Sequence, residues 1–136
     1  KAGEYVYIRY FENLVGMLKG YPPESCSYHG ICARHHVVEA DGSVYPCDFY
    51  VLPEYRIGNL ITDDFDTIEK NRREIGFIEQ SHKIEEECTQ CRWFPLCRGG
   101  CRRYRETGLS DDLHKNYFCR SYQAFFTHAY PILMQS

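Results

Sequence analysis

The sequence predicts a small, irregular α+β domain with one β-hairpin, cysteine-rich loops around two metal sites, and flanking helices. Three observations support this fold class. Apolar residues recur at helical spacing near both ends of the 136-residue chain. An Asp-Gly pair separates two short extended stretches. Eight cysteines, four of them between residues 88 and 101, supply enough thiolates for two four-coordinate metal sites.

The first predicted element is an amphipathic helix over residues 4–18. Its apolar stripe is formed by Tyr7, Ile8, Phe11, Leu14, Val15 and Leu18. Arg9, Glu12 and Asn13 lie on another side of the helix. Lys19-Gly20 ends the helix, and Pro22-Pro23 prevents its continuation because proline has no backbone N–H to donate.

A loop and a hairpin are predicted next. Residues 20–34 form the loop, in which Gly30 allows the backbone to bend. Residues 35–47 read as two short strands joined by a two-residue turn at Asp41-Gly42. Pro46 stops further pairing because it lacks a donor, so the chain leaves the sheet directly after it.

Residues 49–61 are predicted to be irregular, and a second helix follows them. Asp63 or Asp64 can cap its free N–H groups. The helix then runs through the apolar residues Phe65, Ile68, Ile75 and Ile78. Its charged face is expected to be solvated.

Two helical elements complete the predicted order. Residues 101–106 are expected to form a short helical turn that ends at Gly108, and residues 110–112 form a connection. The last helix covers residues 117–134 and is interrupted or kinked at Pro131.

Composition excludes several classes of function. A net charge of −3 gives no case for nucleic-acid binding. No window approaches the roughly 20 consecutive apolar residues that span a bilayer, so we expect no membrane association. The chain begins Lys-Ala-Gly without a visible secretory signal, so we expect a fragment of a larger cytoplasmic protein.

The cysteines are the candidate metal ligands. They are Cys26, Cys32, Cys47, Cys88, Cys91, Cys97, Cys101 and Cys119. Pro95 and Gly99-Gly100 are expected to forbid a regular helix between the ligands of the central loop, residues 88–101. Disulfides are typical of secreted chains, so the absence of an export signal favours metal. From the residues alone, structural zinc and iron-sulfur clusters both remain open.

The cysteine spacing resembles a known family. Cys32, nine residues, Gly42, four residues and Cys47 precede the C-x2-C-x5-C-x3-C of the central loop and then Cys119. This order is similar to the seven-cysteine SPASM signature of radical S-adenosylmethionine proteins. Within that group, D-G-S-V-Y-P-C-D-F-Y-V-L at residues 41–52, I-G-N-L at residues 57–60 and the added Cys26 resemble anaerobic sulfatase-maturating enzymes.

The resemblance implies two auxiliary 4Fe-4S clusters with crossed ligands. The first would take Cys26, Cys32, Cys47 and Cys101, and the second would take Cys88, Cys91, Cys97 and Cys119. A run of cysteines that gives its fourth member to the other cluster is also found in ferredoxins. The hairpin and the central loop would then be tied together by the clusters.

The resemblance also implies an activity for the whole enzyme, which oxidises a cysteine or serine of a sulfatase polypeptide to formylglycine. The loop C-x3-C-x2-C, which binds S-adenosylmethionine and a third 4Fe-4S cluster in this family, is absent from these residues. Residues 1–20 are therefore expected to link to an N-terminal radical domain of the same chain, and residues 21–136 to form the auxiliary-cluster domain. Asp48 matches the family's proposed general base, although an Asp leaving a strand often only hydrogen-bonds its own loop.

Two other functions remain open at this point. One is a zinc-stabilised, cysteine-rich module that binds a protein partner. The other is the auxiliary-cluster domain of a different peptide-modifying radical enzyme. Protein prepared in air could hold zinc in place of clusters. The six histidines are interpreted as surface or packing residues.

Overall fold

A computed structural model describes residue 3, residues 6–106 and residues 115–135. The chain divides into two compact units. The first comprises the residues up to Gly30 and those from Ile84 onward, and the second is Ile31–Lys83. None of the helices within the described ranges combines the length and apolar character that crossing a membrane requires.

The first unit is helical. Its helices are α1 (Arg9–Leu18), α2 (Cys26–His29), α5 (Glu86–Thr89), α6 (Phe94–Cys97) and α7 (Cys119–Leu133), with a 3-10 turn at Arg102–Tyr104. Its core is formed by the buried residues Leu14, Trp93, Leu96, Phe126, Ala129 and Leu133. Burying each large side chain of this kind contributes about 1.5–3 kcal/mol, so packing between α1, α6 and α7 holds the unit together.

Helix α1 is shorter than the predicted helix over residues 4–18. It begins at Arg9, because Ile8 adopts an extended backbone without a side-chain cap. Asn13, predicted to lie outside the apolar stripe of this helix, is nonetheless buried. Asn13 is 4% exposed, donates to the Arg9 carbonyl at 2.7 Å and accepts from the Glu24 N–H at 2.7 Å. The predicted end at Lys19-Gly20 is confirmed, with Lys19 as the C-terminal cap.

The second unit contains a three-stranded antiparallel sheet. Its elements are β1 (Val37–Val38), β2 (Ser43–Tyr45), β3 (Gly58–Asn59), α3 (Phe65–Glu74) and α4 (Phe77–Ser81), with 3-10 turns at Asp48–Tyr50 and Pro53–Tyr55. The strand order is β1-β2-β3. Val44 of β2, Ile57 and Ile68 are fully buried and form the core of this unit, with Ile75 packed against them.

The predicted hairpin is confirmed, but its two-residue turn is wrong. The Glu39 N–H donates to the Ser43 carbonyl at 2.9 Å, and the Gly42 N–H donates to the Glu39 carbonyl at 2.9 Å. Three residues therefore connect the paired positions. Gly42 has a φ of 82°, which is the left-handed residue that a three-residue hairpin loop requires.

Residues 49–61 are less irregular than predicted, because they contain β3 and both 3-10 turns of the second unit. The β2–β3 pairing places Asn59 opposite Ser43. The Asn59 amide also donates to the Asp41 carbonyl at 2.9 Å. Glycine and asparagine are depleted in strands, and two residues show no alternation, so sequence patterning does not reveal β3.

Helix α3 begins as predicted, because the Asp64 carboxylate accepts from the Thr67 N–H at 2.8 Å. The continuous run through Ile78 is wrong. Gly76 adopts a left-handed backbone with φ 58°, which ends α3 and starts α4 in a new direction.

The C-terminal half matches its prediction in outline. The 3-10 turn at Arg102–Tyr104 falls within the predicted turn over residues 101–106. Helix α7 begins two residues later than predicted and continues through Pro131 to Leu133. Proline fixes a helical φ, so one lost hydrogen bond near a helix end is tolerated. The predicted features at Gly108 and at residues 110–112 lie outside the described residues.

Candidate metal centres

All eight cysteines are free and half-buried. None is committed to a disulfide, so each sulfur is available as a thiolate ligand. Six of the eight lie in the first unit, and Cys32 and Cys47 lie in the second.

Four cysteines of the first unit line one pocket, which we call the thiol pocket. They are Cys88, Cys91, Cys97 and Cys119. Helix α5 carries Cys88, α6 ends at Cys97 and α7 begins at Cys119. Three short or terminal helical segments therefore bring the distant Cys119 beside three sulfurs that are close together in the sequence.

The prediction that no helix forms between the central-loop ligands is wrong. Pro95 lies in the first turn of α6, a position where its missing N–H costs nothing. Arg98, Gly99 and Gly100 then follow with φ values of 50°, 80° and 67°. Three consecutive left-handed residues turn the chain sharply, and Cys101 comes directly after them outside the lining of the thiol pocket.

Cys101 lies near Cys26 instead. Burial raises the pKa of the Cys101 thiol, and the nearby Cys26 thiol raises it further. The segments that carry these two cysteines are joined by hydrogen bonding, because the Arg105 guanidinium donates to the Gly30 carbonyl at 2.9 Å. Arg105 itself is 2% exposed. The first unit thus separates its six thiols into a group of four and a pair.

The two cysteines of the second unit are held by their own neighbours. The Cys32 N–H donates to the Ser81 hydroxyl at 2.9 Å, and that hydroxyl donates to the Ile78 carbonyl at 2.5 Å. Sequence reasoning missed Ser81, since 49 positions separate it from Cys32. Cys47 follows β2 and precedes the 3-10 turn at Asp48.

Asp48 is exposed to solvent. The Cys47 thiol donates to its carboxylate across 3.3 Å. A Cys47 thiolate bound to metal could not donate this hydrogen bond, so the carboxylate would then be free of it.

The thiol pocket favours protonated sulfur when no metal is bound. Burial raises the pKa of the Cys97 thiol, and Cys119, Cys88 and Cys91 raise it further, whereas the Gly99 N–H lowers it. Burial followed by Cys119 raises the pKa of Cys88 in the same way. Bound iron would offset these effects, because a metal ion stabilises the thiolates that it coordinates.

The donor set fits an iron-sulfur cluster. Four thiols around a shared pocket are the ligand set of a four-iron cluster. Tyr122 and Lys115 also line the thiol pocket. Tyr122 could have been anticipated, since it lies one helical turn after Cys119.

Comparison with known families agrees with this donor set. The sequence profile of the SPASM family, an iron-sulfur cluster-binding domain, matches residues 26–92. A cysteine-type anaerobic sulfatase-maturating enzyme of Clostridium perfringens is 45% identical over 97% of this chain and 36% of its own length. The Clostridium novyi cysteine-type enzyme is 44% identical over 91% of this chain and 33% of its own length. A serine-type enzyme of Bacteroides thetaiotaomicron is 27% identical over 93% of this chain and 31% of its own length.

Solved structures show the same similarity. Native anSMEcpe with bound AdoMet superposes with a TM-score of 0.87 and 44% identity, covering 96% of this chain and 35% of that one. A structure of anSMEcpe with bound AdoMet and the Cp18Cys peptide gives the same TM-score and identity, covering 96% of this chain and 36% of that one. The chain therefore spans about a third of the proteins that it matches.

Proposed function

We propose that this chain, whose residues 26–92 match the SPASM iron-sulfur cluster-binding domain, is the auxiliary-cluster part of an anaerobic sulfatase-maturating enzyme. The observation that carries the proposal is the 45% identity to a cysteine-type enzyme across 97% of this chain. The whole enzyme would oxidise a sulfatase residue to formylglycine. Its N-terminal part would bind S-adenosylmethionine and a third 4Fe-4S cluster.

A cysteine is the target that we propose for oxidation. Identity to the cysteine-type enzymes is 44–45%, against 26–27% for the serine-type enzymes. Two sulfatase peptides that differ only in Cys or Ser at the target position would test this choice. Equal rates of formylglycine formation from both peptides would contradict it.

Two 4Fe-4S clusters are proposed, with crossed ligands. The ligands of the second are those of the thiol pocket, and the ligands of the first are Cys26, Cys32, Cys47 and Cys101. Two features of the first unit support this division: Cys101 lies outside the thiol pocket, and it lies near Cys26.

The proposed reaction assigns a role to Asp48. Oxidising the side chain of a substrate thiol removes a hydrogen atom from carbon, a proton from sulfur and one further electron. Bound clusters would supply an acceptor for that electron. An exposed carboxylate beside Cys47 could accept the proton, provided that it comes within about 3 Å of the substrate sulfur. Asp48 meets the requirement of exposure.

Metal analysis is the first test. After anoxic preparation we expect this chain to bind about eight iron atoms and as many sulfides, in two clusters of four. Such protein would be brown, with broad visible absorption. Two zinc ions per chain without sulfide would instead identify a zinc-stabilised binding module. Formylglycine formation by the intact protein would separate sulfatase maturation from modification of another peptide.

Paired substitutions test the ligand division. In the crossed arrangement, Cys88→Ala with Cys101→Ala removes a ligand from each cluster, so we expect most iron to be lost. The matched variant, Cys88→Ala with Cys119→Ala, removes two ligands from one cluster and should retain about four iron atoms. If the central loop held its own four cysteines on one cluster, the two variants would exchange their iron contents. Iron and sulfide analysis of both proteins distinguishes the two arrangements.

A further inference from the structure

Tyr122 is placed to interact with whatever occupies the thiol pocket. It lies on α7 one turn after Cys119 and lines the pocket. Its ring is half-buried and stacks on Phe126, with 6.1 Å between centroids. Packing thus fixes the ring, and the direction of its hydroxyl is fixed with it.

Tyr122 shares the thiol pocket with its four cysteines. Burial raises the pKa of this phenol, and Cys97 is the next largest cause of the increase. No described residue accepts a hydrogen bond from the Tyr122 hydroxyl. A thiol is a weak acceptor, whereas a loaded site would present anionic sulfur in the pocket that Tyr122 lines.

We propose that the Tyr122 hydroxyl donates a hydrogen bond to a sulfur of the second cluster and thereby raises the reduction potential of that cluster. The inference rests on the second cluster proposed above. Hydrogen bonds to cluster sulfurs are among the features that set reduction potentials. Reduction adds negative charge to the cluster, so a donor stabilises the reduced form more than the oxidised form.

The test is Tyr122→Phe in the intact, cluster-loaded protein, with the potential measured by redox titration and electron paramagnetic resonance. We expect the equilibrium constant for reduction to fall about tenfold, which lowers the potential by about 59 mV for one electron. The signal of the second cluster is the one that a Cys91→Ser variant loses or alters.

Tyr130→Phe is the matched control, because Tyr130 is a half-buried tyrosine on the same helix that does not line the thiol pocket. In Tyr130→Phe, the reduction potential of the second cluster should equal that of the parent protein. An equal shift in Tyr130→Phe, or no shift in a fully loaded Tyr122→Phe, would overturn the inference. Parent protein that holds no iron or sulfide would overturn the proposed function as well.

A second variant keeps the test independent of any loss of folding. Tyr122→3-fluorotyrosine preserves the ring and makes its hydroxyl a stronger donor, so we expect a higher potential than in the parent. Tyr10 is the competing donor, since Cys97 also raises its pKa, after burial and Tyr122. A shift in Tyr10→Phe with none in the Tyr122 variants would assign the hydrogen bond to Tyr10 instead.

Discussion

Gly30→Ala is expected to lower the free energy of unfolding by roughly 3–5 kcal/mol. Gly30 ends α2 with a left-handed φ of 73°, which alone costs an L-residue about 1–2 kcal/mol. The added methyl would also overlap the Arg98 carbonyl oxygen and lie 2.9 Å from its carbonyl carbon. Backbone cannot rotate aside as a side chain does, so α2 and the central loop would have to separate. Denaturant unfolding followed by circular dichroism measures the loss.

Gly20→Ala is the matched control for that prediction. Gly20 also has a left-handed backbone, with φ 85°, but an added methyl there meets nothing within 4 Å. Gly20→Ala should therefore lower the free energy of unfolding only by the backbone strain, about 1–2 kcal/mol. Equal losses from the two variants would show that the contact with Arg98 contributes nothing.

The same substitution should affect the metal site. Gly30 follows the helix that carries Cys26 and accepts a hydrogen bond from Arg105. Separating α2 from the central loop would move Cys26 away from Cys101. Under the proposed division, Gly30→Ala should lose iron from the first cluster before the second.

The parts of the fold that could be predicted are those with strong local signals. The Asp64 cap is an example, since a side chain four residues before Ile68 specifies the helix start without distant partners. The hairpin also depends on neighbouring residues. The predicted turn length was wrong because Asp-Gly fits two kinds of turn: a two-residue turn and the last two positions of a three-residue loop. Only the pairing of Glu39 with Ser43 decides between them.

The parts that could not be predicted depend on contacts distant in sequence. Asn13 is polar and lies outside the apolar stripe of α1, yet it is buried because its side-chain oxygen accepts a hydrogen bond from the distant Glu24 N–H. The strand β3 exists because β2 offers it free backbone groups. For the metal centres, spacing identified all eight ligand candidates, but Ser81 and the left-handed turn after Cys97 became visible only in three dimensions.

Asp48→Asn is expected to reduce formylglycine formation by at least about tenfold in the intact enzyme, since a general base typically contributes about 100- to 10,000-fold. Asparagine preserves the size of the side chain but cannot accept the proton that leaves the substrate. Iron content and cleavage of S-adenosylmethionine should remain at parental values, because neither depends on proton removal. The measurement is product formation against time with a sulfatase peptide under anoxic conditions.

Asp66→Asn is the control, because Asp66 is another exposed aspartate of the second unit, on α3 away from the cysteines in sequence. It should form product at the parental rate. Asp48→Glu separates chemistry from position: it retains a carboxylate one methylene further out, so activity between that of the parent and that of Asp48→Asn would indicate a base whose placement matters. If Asp48→Asn forms product as fast as the parent with its clusters intact, the carboxylate only hydrogen-bonds its own loop, and the proton must leave by another group.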